Sequence, residues 1–292
     1  MKLIQPGTKK IKEPKRSSIN PLVSIITPFY NAGEFFEETY VSVINQTFDD
    51  FEWLIINDGS DDDSSLVLLE NLASNDTRIR TINKINGGIA SAQNVGIMEA
   101  KTEYILPLDA DDLLEPEYIE KLYVLMEQHP ECSWGYTDCI GFYKQEYLWS
   151  KPFNAALMRE VNWLTKTALI RKKELIRAGL YCEESKYINE DWHMWLKMLS
   201  LSMRPLRLVW FGFWYRRRDN GIKNIIDDNL ILRSTSLSII RDIADSVDNN
   251  VRAITIGDGR ISVKYLIVHF LSRYHWGRAF IRFLINLRFN VK

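Results

Sequence analysis

Apolar residues follow two rhythms along this chain. Leu22–Phe29 (LVSIITPF), Phe51–Asn57 (FEWLIIN) and Glu103–Leu108 (EYILPL) are short, nearly continuous runs, while Arg78–Lys84 (RIRTINK) alternates apolar with polar. Their length and β-branched content predict four strands. Between them, Glu34–Gln46, Ser64–Ala73 and Ala90–Ala100 repeat apolar positions at helical spacing. Continuous apolar strands alternating with helices predict an α/β fold: a mainly parallel sheet flanked by helices on both faces. Right-handed crossovers then bring the carboxyl ends of the strands to one edge, where ligands of open sheets bind. After Trp134 the rhythm is less regular, and Lys223–Val247 predicts one polar, amphipathic helix. The expected division is an arm over 1–20, an α/β domain over 21–221 and a helical extension over 222–292.

Composition narrows this little. With 292 residues, 46% hydrophobic and 26% charged, the chain can bury a sizeable core, and a net charge of -1 gives no reason to expect a nucleic-acid partner. Cys132, Cys139 and Cys182 fit no metal-binding spacing, and an odd, sparse count suits a reducing, cytoplasmic setting. The N-terminal stretch lacks a signal-peptide apolar run, and no apolar stretch approaches the ~20 residues that span a bilayer. Charge distribution is more informative. Residues 1–18 carry six Lys/Arg against Glu13, and residues 251–292 carry eight against Asp258, interleaved with aromatics. The basic tail is a candidate for peripheral contact with the inner face of the plasma membrane, for docking a partner, or for packing on the domain. Acids are left concentrated in the middle.

Polar loops follow each strand. They are Thr27-Pro-Phe-Tyr-Asn31, Asn57-Asp58-Gly-Ser-Asp61, Asn86-Gly-Gly-Ile-Ala-Ser-Ala-Gln-Asn94 and Asp109-Ala-Asp111-Asp112. Singly, each has an ordinary explanation. Asp58 suits a turn, and an acidic triplet before a helix suits a cap on the helix dipole. Yet three carboxylates within four residues repel one another, a cost that a bound divalent cation would relieve.

In order, VSIITPFYN, FEWLIINDGSDD, NGGIASAQNVGI, YILPLDADD and NEDWHMWLKM resemble the motifs of family 2 glycosyltransferases, over about residues 22–218. That resemblance implies the GT-A fold and an inverting transfer of a sugar from a nucleoside-diphosphate donor to an acceptor hydroxyl of a glycan or lipid-linked acceptor, in polysaccharide or glycan biosynthesis. It also implies Mn²⁺ or Mg²⁺ on the diphosphate. Carried over residue by residue, it sets Tyr30 beside the nucleobase with Pro28 and Phe29, and gives Asp58 the base, a uracil imide being a suitable donor to a carboxylate. Asp109 and Ala110 lie near the nucleotide, and Asp111, with Asp109, ligates the metal. Gly87 and Gly88 let the backbone approach the donor. Asp191 is the general base, and capping of its helix is the alternative role. Glu190, Trp192 and Arg218 are candidate donor or acceptor contacts. Aromatic residues at helical spacing are usually core, the expectation for Trp195.

Two departures from the family pattern stand out. Gln93 replaces the usual arginine of the nucleotide side, and the segment after the base motif has no histidine for the metal, leaving its third ligand unassigned. A silent nucleotide-sugar-binding or scaffold protein is the main rival reading. A metal-dependent phosphatase is a weaker one, since its nucleophilic aspartate is expected after the first strand, where this chain has TPFYN.

Overall fold

A computed structural model of the chain describes residues 20–219 and 222–257. Nearly all of the basic arm, and the tail from residue 258 onward, lie outside the described residues.

Strands and helices alternate through the first half: β1 (Val23–Phe29), α1 (Gly33–Ile44), β2 (Phe51–Asn57), α2 (Asp63–Asn75), β3 (Ile79–Asn83), α3 (Ile89–Glu99) and β4 (Tyr104–Pro107). β1 lies between β2 and β4, parallel to both, with Phe29 opposite Asn57 and Ile26 opposite Pro107. β3 extends the sheet outside β2, Asn83 standing beside Asn57. The continuous apolar runs have the cause expected of them, because both faces are covered. Val23, Ile25, Phe51, Trp53 and Ile55 enter one core with α1 and α2, while Ile26, Leu54 and Ile56 enter the other with α3. Side chains alternate between the faces of a strand, so a strand buried on both must be apolar throughout.

The second half is where the sequence rhythm faded. It contains β5 (Leu113–Leu114), α4 (Tyr118–Gln128), β6 (Trp134–Tyr143), β7 (Tyr147–Trp149), α5 (Ala155–Met158), β8 (Leu169–Arg171), α6 (Lys172–Arg177), α7 (Glu190–Ser200) and β9 (Pro205–Arg217). β8 inserts antiparallel between β4 and β6, whereas β9 runs parallel to β6. The sheet is therefore mainly parallel, with antiparallel β5, β7 and β8. All three cysteines are buried and unbridged.

Two expectations for the C-terminal extension need correction. Lys223–Val247 is two helices, α8 (Ile222–Asp228) and α9 (Leu230–Ala244). Asn229 separates them, its side-chain oxygen capping α9 by accepting from the N–H groups of Ile231 and Leu232 at 3.0 and 3.1 Å. Nor is the extension all helical, since β10 (Ile254–Ile256) adds a parallel strand to β9. Ile240 and Ala244 of α9 share a core with Trp192 and Trp195 of α7, so this segment is part of the domain's packing.

Candidate active site

Register places the ends of β1, β2 and β3 side by side, so the loops after them meet at one edge. Asn31 takes a positive φ of 47° and clips two of these loops together: its amide donates to Asp61 at 2.7 Å and its oxygen accepts the Asp61 N–H at 3.0 Å. Phe29 is buried, edge-on to Phe36, and its carbonyl accepts the Asp58 N–H at 2.8 Å. Pro28 is partly buried, while Tyr30 is 49% exposed, open to a flat ligand.

Asp58 is buried and already engaged. Lys84 reaches its Oδ1 at 2.5 Å, Gly87 N–H donates to Oδ1 at 2.9 Å and Gly88 N–H to Oδ2 at 2.8 Å. The close approach that the two glycines permit is thus, in the first place, to Asp58 itself. Gly88 has φ +90°, and a Cβ there would stand 3.1 Å from the Lys186 side chain, which is why only glycine suits the position. Gln93 is 1% exposed and neither end of its amide finds a partner. It is thus buried inside α3's packing rather than displayed on the surface of the site.

Beyond β4 the acids diverge in role. Asp109 accepts a short hydrogen bond from the Lys166 ammonium. The Ala110 carbonyl is held by the Thr39 hydroxyl at 3.0 Å. Asp111 meets Arg218 at 2.7 Å. Asp112 is fully enclosed and accepts the Arg216 backbone N–H at 2.7 Å, a structural role. Burial raises the pKa of Asp111 and, more strongly, of Asp112, with neighbouring carboxylates adding to it. Arg216 bonds the Asp111 carbonyl and Glu38, while its guanidinium sits 4.7 Å from the Phe35 ring and 4.6 Å from that of Phe142. This clamp fixes the end of β9 on the acidic loop, with Arg218 two residues further along.

The third component is the head of α7. Asp191 accepts from Asn162 at 2.9 Å and from the Trp192 N–H at 2.7 Å, so it does bond a first-turn N–H as well as facing the acids. Glu190 is buried and lies 3.4 Å from Lys166. Burial, reinforced by Asp191 and Asp109 and opposed by Lys166, pushes the Glu190 carboxyl up to about 7, and burial also raises Asp191. Trp195 is core, stacked on Trp134. Trp192 is also largely buried, its indole N–H bonded to the Met158 carbonyl at 2.6 Å. Its remaining edge lines a cleft of about 340 Å³ with Arg159, Glu160, Leu237 and Arg241.

Sequence reasoning missed Lys166, Asn162, Glu38 and the clamping role of Arg216. The only signal for Lys166 was a lone cation beside an apolar run, Thr167-Ala-Leu-Ile170.

The geometry that decides the matter is one sheet edge carrying Asp58, Asp109 and Asp111, faced by an acid-headed helix. A family profile described as glycosyl transferase family 2 matches residues 24–182, more than half of the chain. The chain belongs to this family. Among relatives, the uncharacterized glycosyltransferase EpsJ of Bacillus subtilis is 34% identical over 175 residues, 60% of this chain and 46% of its own length. Hyaluronan synthase of Pasteurella multocida is 44% identical over 114 residues, 38% of this chain and 12% of the synthase. The matched region thus spans about half of the first of these and a small part of the second. Among solved structures, S. aureus TarS 1–349 in complex with UDP-GlcNAc superposes with a TM-score of 0.66 at 19% identity, covering 77% of this chain and 66% of that one. At that identity the likeness establishes the GT-A fold. The family match ends at residue 182, so Glu190 and Asp191 lie outside it.

Proposed function

We propose that this protein transfers a sugar from a UDP-sugar to an acceptor hydroxyl with inversion, in the assembly of a polysaccharide or glycan. The observation that carries the proposal is the meeting of two distant acidic groups, Asp109–Asp111 after β4 and Glu190–Asp191 on α7, around Lys166. Direct displacement needs both: positive charge management at the leaving diphosphate and a base beside the attacking hydroxyl. The relatives support the polymer context, and the TarS complexes with UDP-GlcNAc and UDP support a uridine donor.

In this scheme Tyr30 and Asp58 hold the base. Among the described residues Asp58 Oδ2 bonds only the Gly88 N–H, so one lone pair remains for an imide N–H. Among the described residues no three His, Cys, Asp or Glu side chains converge as a metal cage. The donor set still fits Mn²⁺ or Mg²⁺, because such ions take one or two carboxylates and complete their shell with phosphate oxygens and water. Asp109 and Asp111 would hold the ion, and their charges are at present balanced by Lys166 and Arg218. When bound, the metal supplies Lewis-acid stabilisation of the departing diphosphate. Asp191 takes the proton as the acceptor oxygen bonds to the anomeric carbon and the bond from that carbon to the diphosphate oxygen breaks.

No helix among the described residues is long and apolar enough to cross a membrane. Placement at the inner face of the plasma membrane, through the basic tail, belongs to the same proposal. The deciding experiment incubates purified protein with Mn²⁺ and UDP-GlcNAc, UDP-glucose, UDP-galactose or UDP-glucuronate and follows UDP release, alongside calorimetry with UDP, GDP and ADP. UDP release from one of these donors and tighter binding of UDP are expected, with β product from an α-linked donor. Preference for GDP or ADP, or a product that retains configuration, would overturn the donor or stereochemical assignment.

A further inference from the structure

Lys166 belongs to none of the family motifs, yet it stands at the junction of both halves of the site. Its side chain is 8% exposed, and its ammonium bonds Asp109 Oδ1 while lying 3.4 Å from Glu190 Oε1. Asp109 follows β4, and Glu190 is the first residue of α7. Lys166 itself comes from the segment entering β8, the strand wedged antiparallel between β4 and β6. That segment is rigidly seated: the Thr167 carbonyl accepts the Tyr118 hydroxyl at 3.1 Å, and Ala168, Leu169 and Ile170 are fully buried.

A buried ion pair is a poor device for stability, since an apolar replacement of similar size is often as stable. What it does supply is a fixed geometry between groups on separate elements. Without the ammonium, the charges of Asp109, Glu190 and Asp191 lose the cation they share, and the link it makes between the head of α7 and the loop after β4 is broken. We propose that Lys166 is a positioning residue that sets the spacing of the donor acids from the base helix, holding Asp191 at the correct reach of the anomeric carbon. The proposal rests on the glycosyltransferase reading above and names the residue that couples the two parts of its site. Lys166 acts through Asp109 and Glu190 rather than by touching the nucleotide.

The test compares Lys166→Met and Lys166→Arg with the wild type. Three measurements are made: UDP release from the donor that the wild-type protein turns over, UDP affinity by calorimetry with Mn²⁺, and amide hydrogen exchange over residues 188–192. A misplacement of about 1 Å typically costs ~10²-fold in rate. Lys166→Met should therefore lose about 100-fold in kcat, keep UDP affinity within a few-fold, and exchange faster at the head of α7. Lys166→Arg should recover part of kcat. UDP affinity falling in step with kcat would mean direct donor contact and overturn the proposal, as would unchanged kcat. If Lys166→Met does not fold, the arginine variant carries the test, with a partial loss of kcat at unchanged UDP affinity supporting a positioning cation and unchanged exchange with complete rate loss opposing it. If the wild type turns over no donor, the glycosyltransferase reading fails on its own, and unchanged exchange over 188–192 would separately reject the positional role.

Discussion

Replacing Asp191 by Asn removes the proposed base while leaving the fold a ready substitute. In the native site the Asp191 Oδ1 accepts the Trp192 N–H and Oδ2 accepts from Asn162 Nδ2. An asparagine keeps the first bond. For the second, Asn162 carries a buried Oδ1 with no partner, so rotating its amide by half a turn offers that oxygen to the new NH₂ group. The flip moves the Asn162 NH₂ into the buried place its oxygen held without a partner, so the number of unsatisfied buried groups, each costing about 1–3 kcal/mol, is unchanged. Burial already raises the Asp191 pKa, so the native carboxylate is disfavoured when charged, and the neutral amide should be at least as stable. Rate should behave differently: loss of a positioned base costs ~10²–10⁴-fold, or roughly 3–5 kcal/mol of barrier. The contacts of Tyr30, Asp58 and Asp109 are untouched, so UDP affinity should stay within a few-fold. The assay pairs UDP release under saturating donor with calorimetry and thermal unfolding. Turnover within threefold of wild type would refute the base assignment. A parallel loss of UDP affinity would move Asp191 to the donor side.

Three further outcomes follow from the same geometry. Asp111→Asn should abolish Mn²⁺-dependent UDP release, as should excess EDTA on the wild type; full activity under either condition would remove the metal from the scheme. Arg218→Ala frees the Asp111 carboxylate from a 2.7 Å contact, so calorimetry without nucleotide should show Mn²⁺ binding about tenfold tighter, the equivalent of ~1.4 kcal/mol; unchanged affinity would mean that Arg218 does not compete for that oxygen. Glu190 has a folded pKa of about 7, above its ordinary value, so between about pH 4.5 and 7 the unfolded chain releases a proton that the folded protein retains. Its contribution to stability is therefore greatest at acid pH and declines as pH rises through that window. Thermal unfolding of Glu190→Gln against wild type from pH 5 to 8 should show the variant gaining relative stability with pH, and parallel curves would contradict the assignment.

Much of the sheet edge after β1 to β4 is legible in the linear sequence because it is built from local patterns. β1 to β4 were predicted to within a residue or two, β1, β2 and β4 because a strand covered on both faces must be apolar throughout, and β3 from its alternation of apolar and polar residues. The loops after them carry their own chemistry in short words such as NDGS and DADD. The other half of the site, from β8 and α7, is less legible. β8 has three residues, too few to carry a periodic signal, and Asn162 and Lys166 lie in a stretch with no motif. Asp58 shows the limit of motif reading: its partners Lys84, Gly87 and Gly88 lie 26 to 30 residues further along the chain, and its role in shaping their loop shows only in the hydrogen bonds.

By itself, then, the sequence determined the α/β class, the edge of the sheet on which the polar loops gather, and the family, because periodicity and short motifs are local properties. Tertiary structure decided which acids stand together. Asp109, Lys166 and Glu190 come from three separate stretches, and no spacing rule relates them. Nor does the sequence reveal that Asp112 is sealed by the Arg216 backbone while Asp111 one residue earlier meets Arg218, or that Gln93 is buried without a partner. Burial and charge pairing depend on what the rest of the chain brings alongside, and for this site that became definite only when β8 entered between β4 and β6.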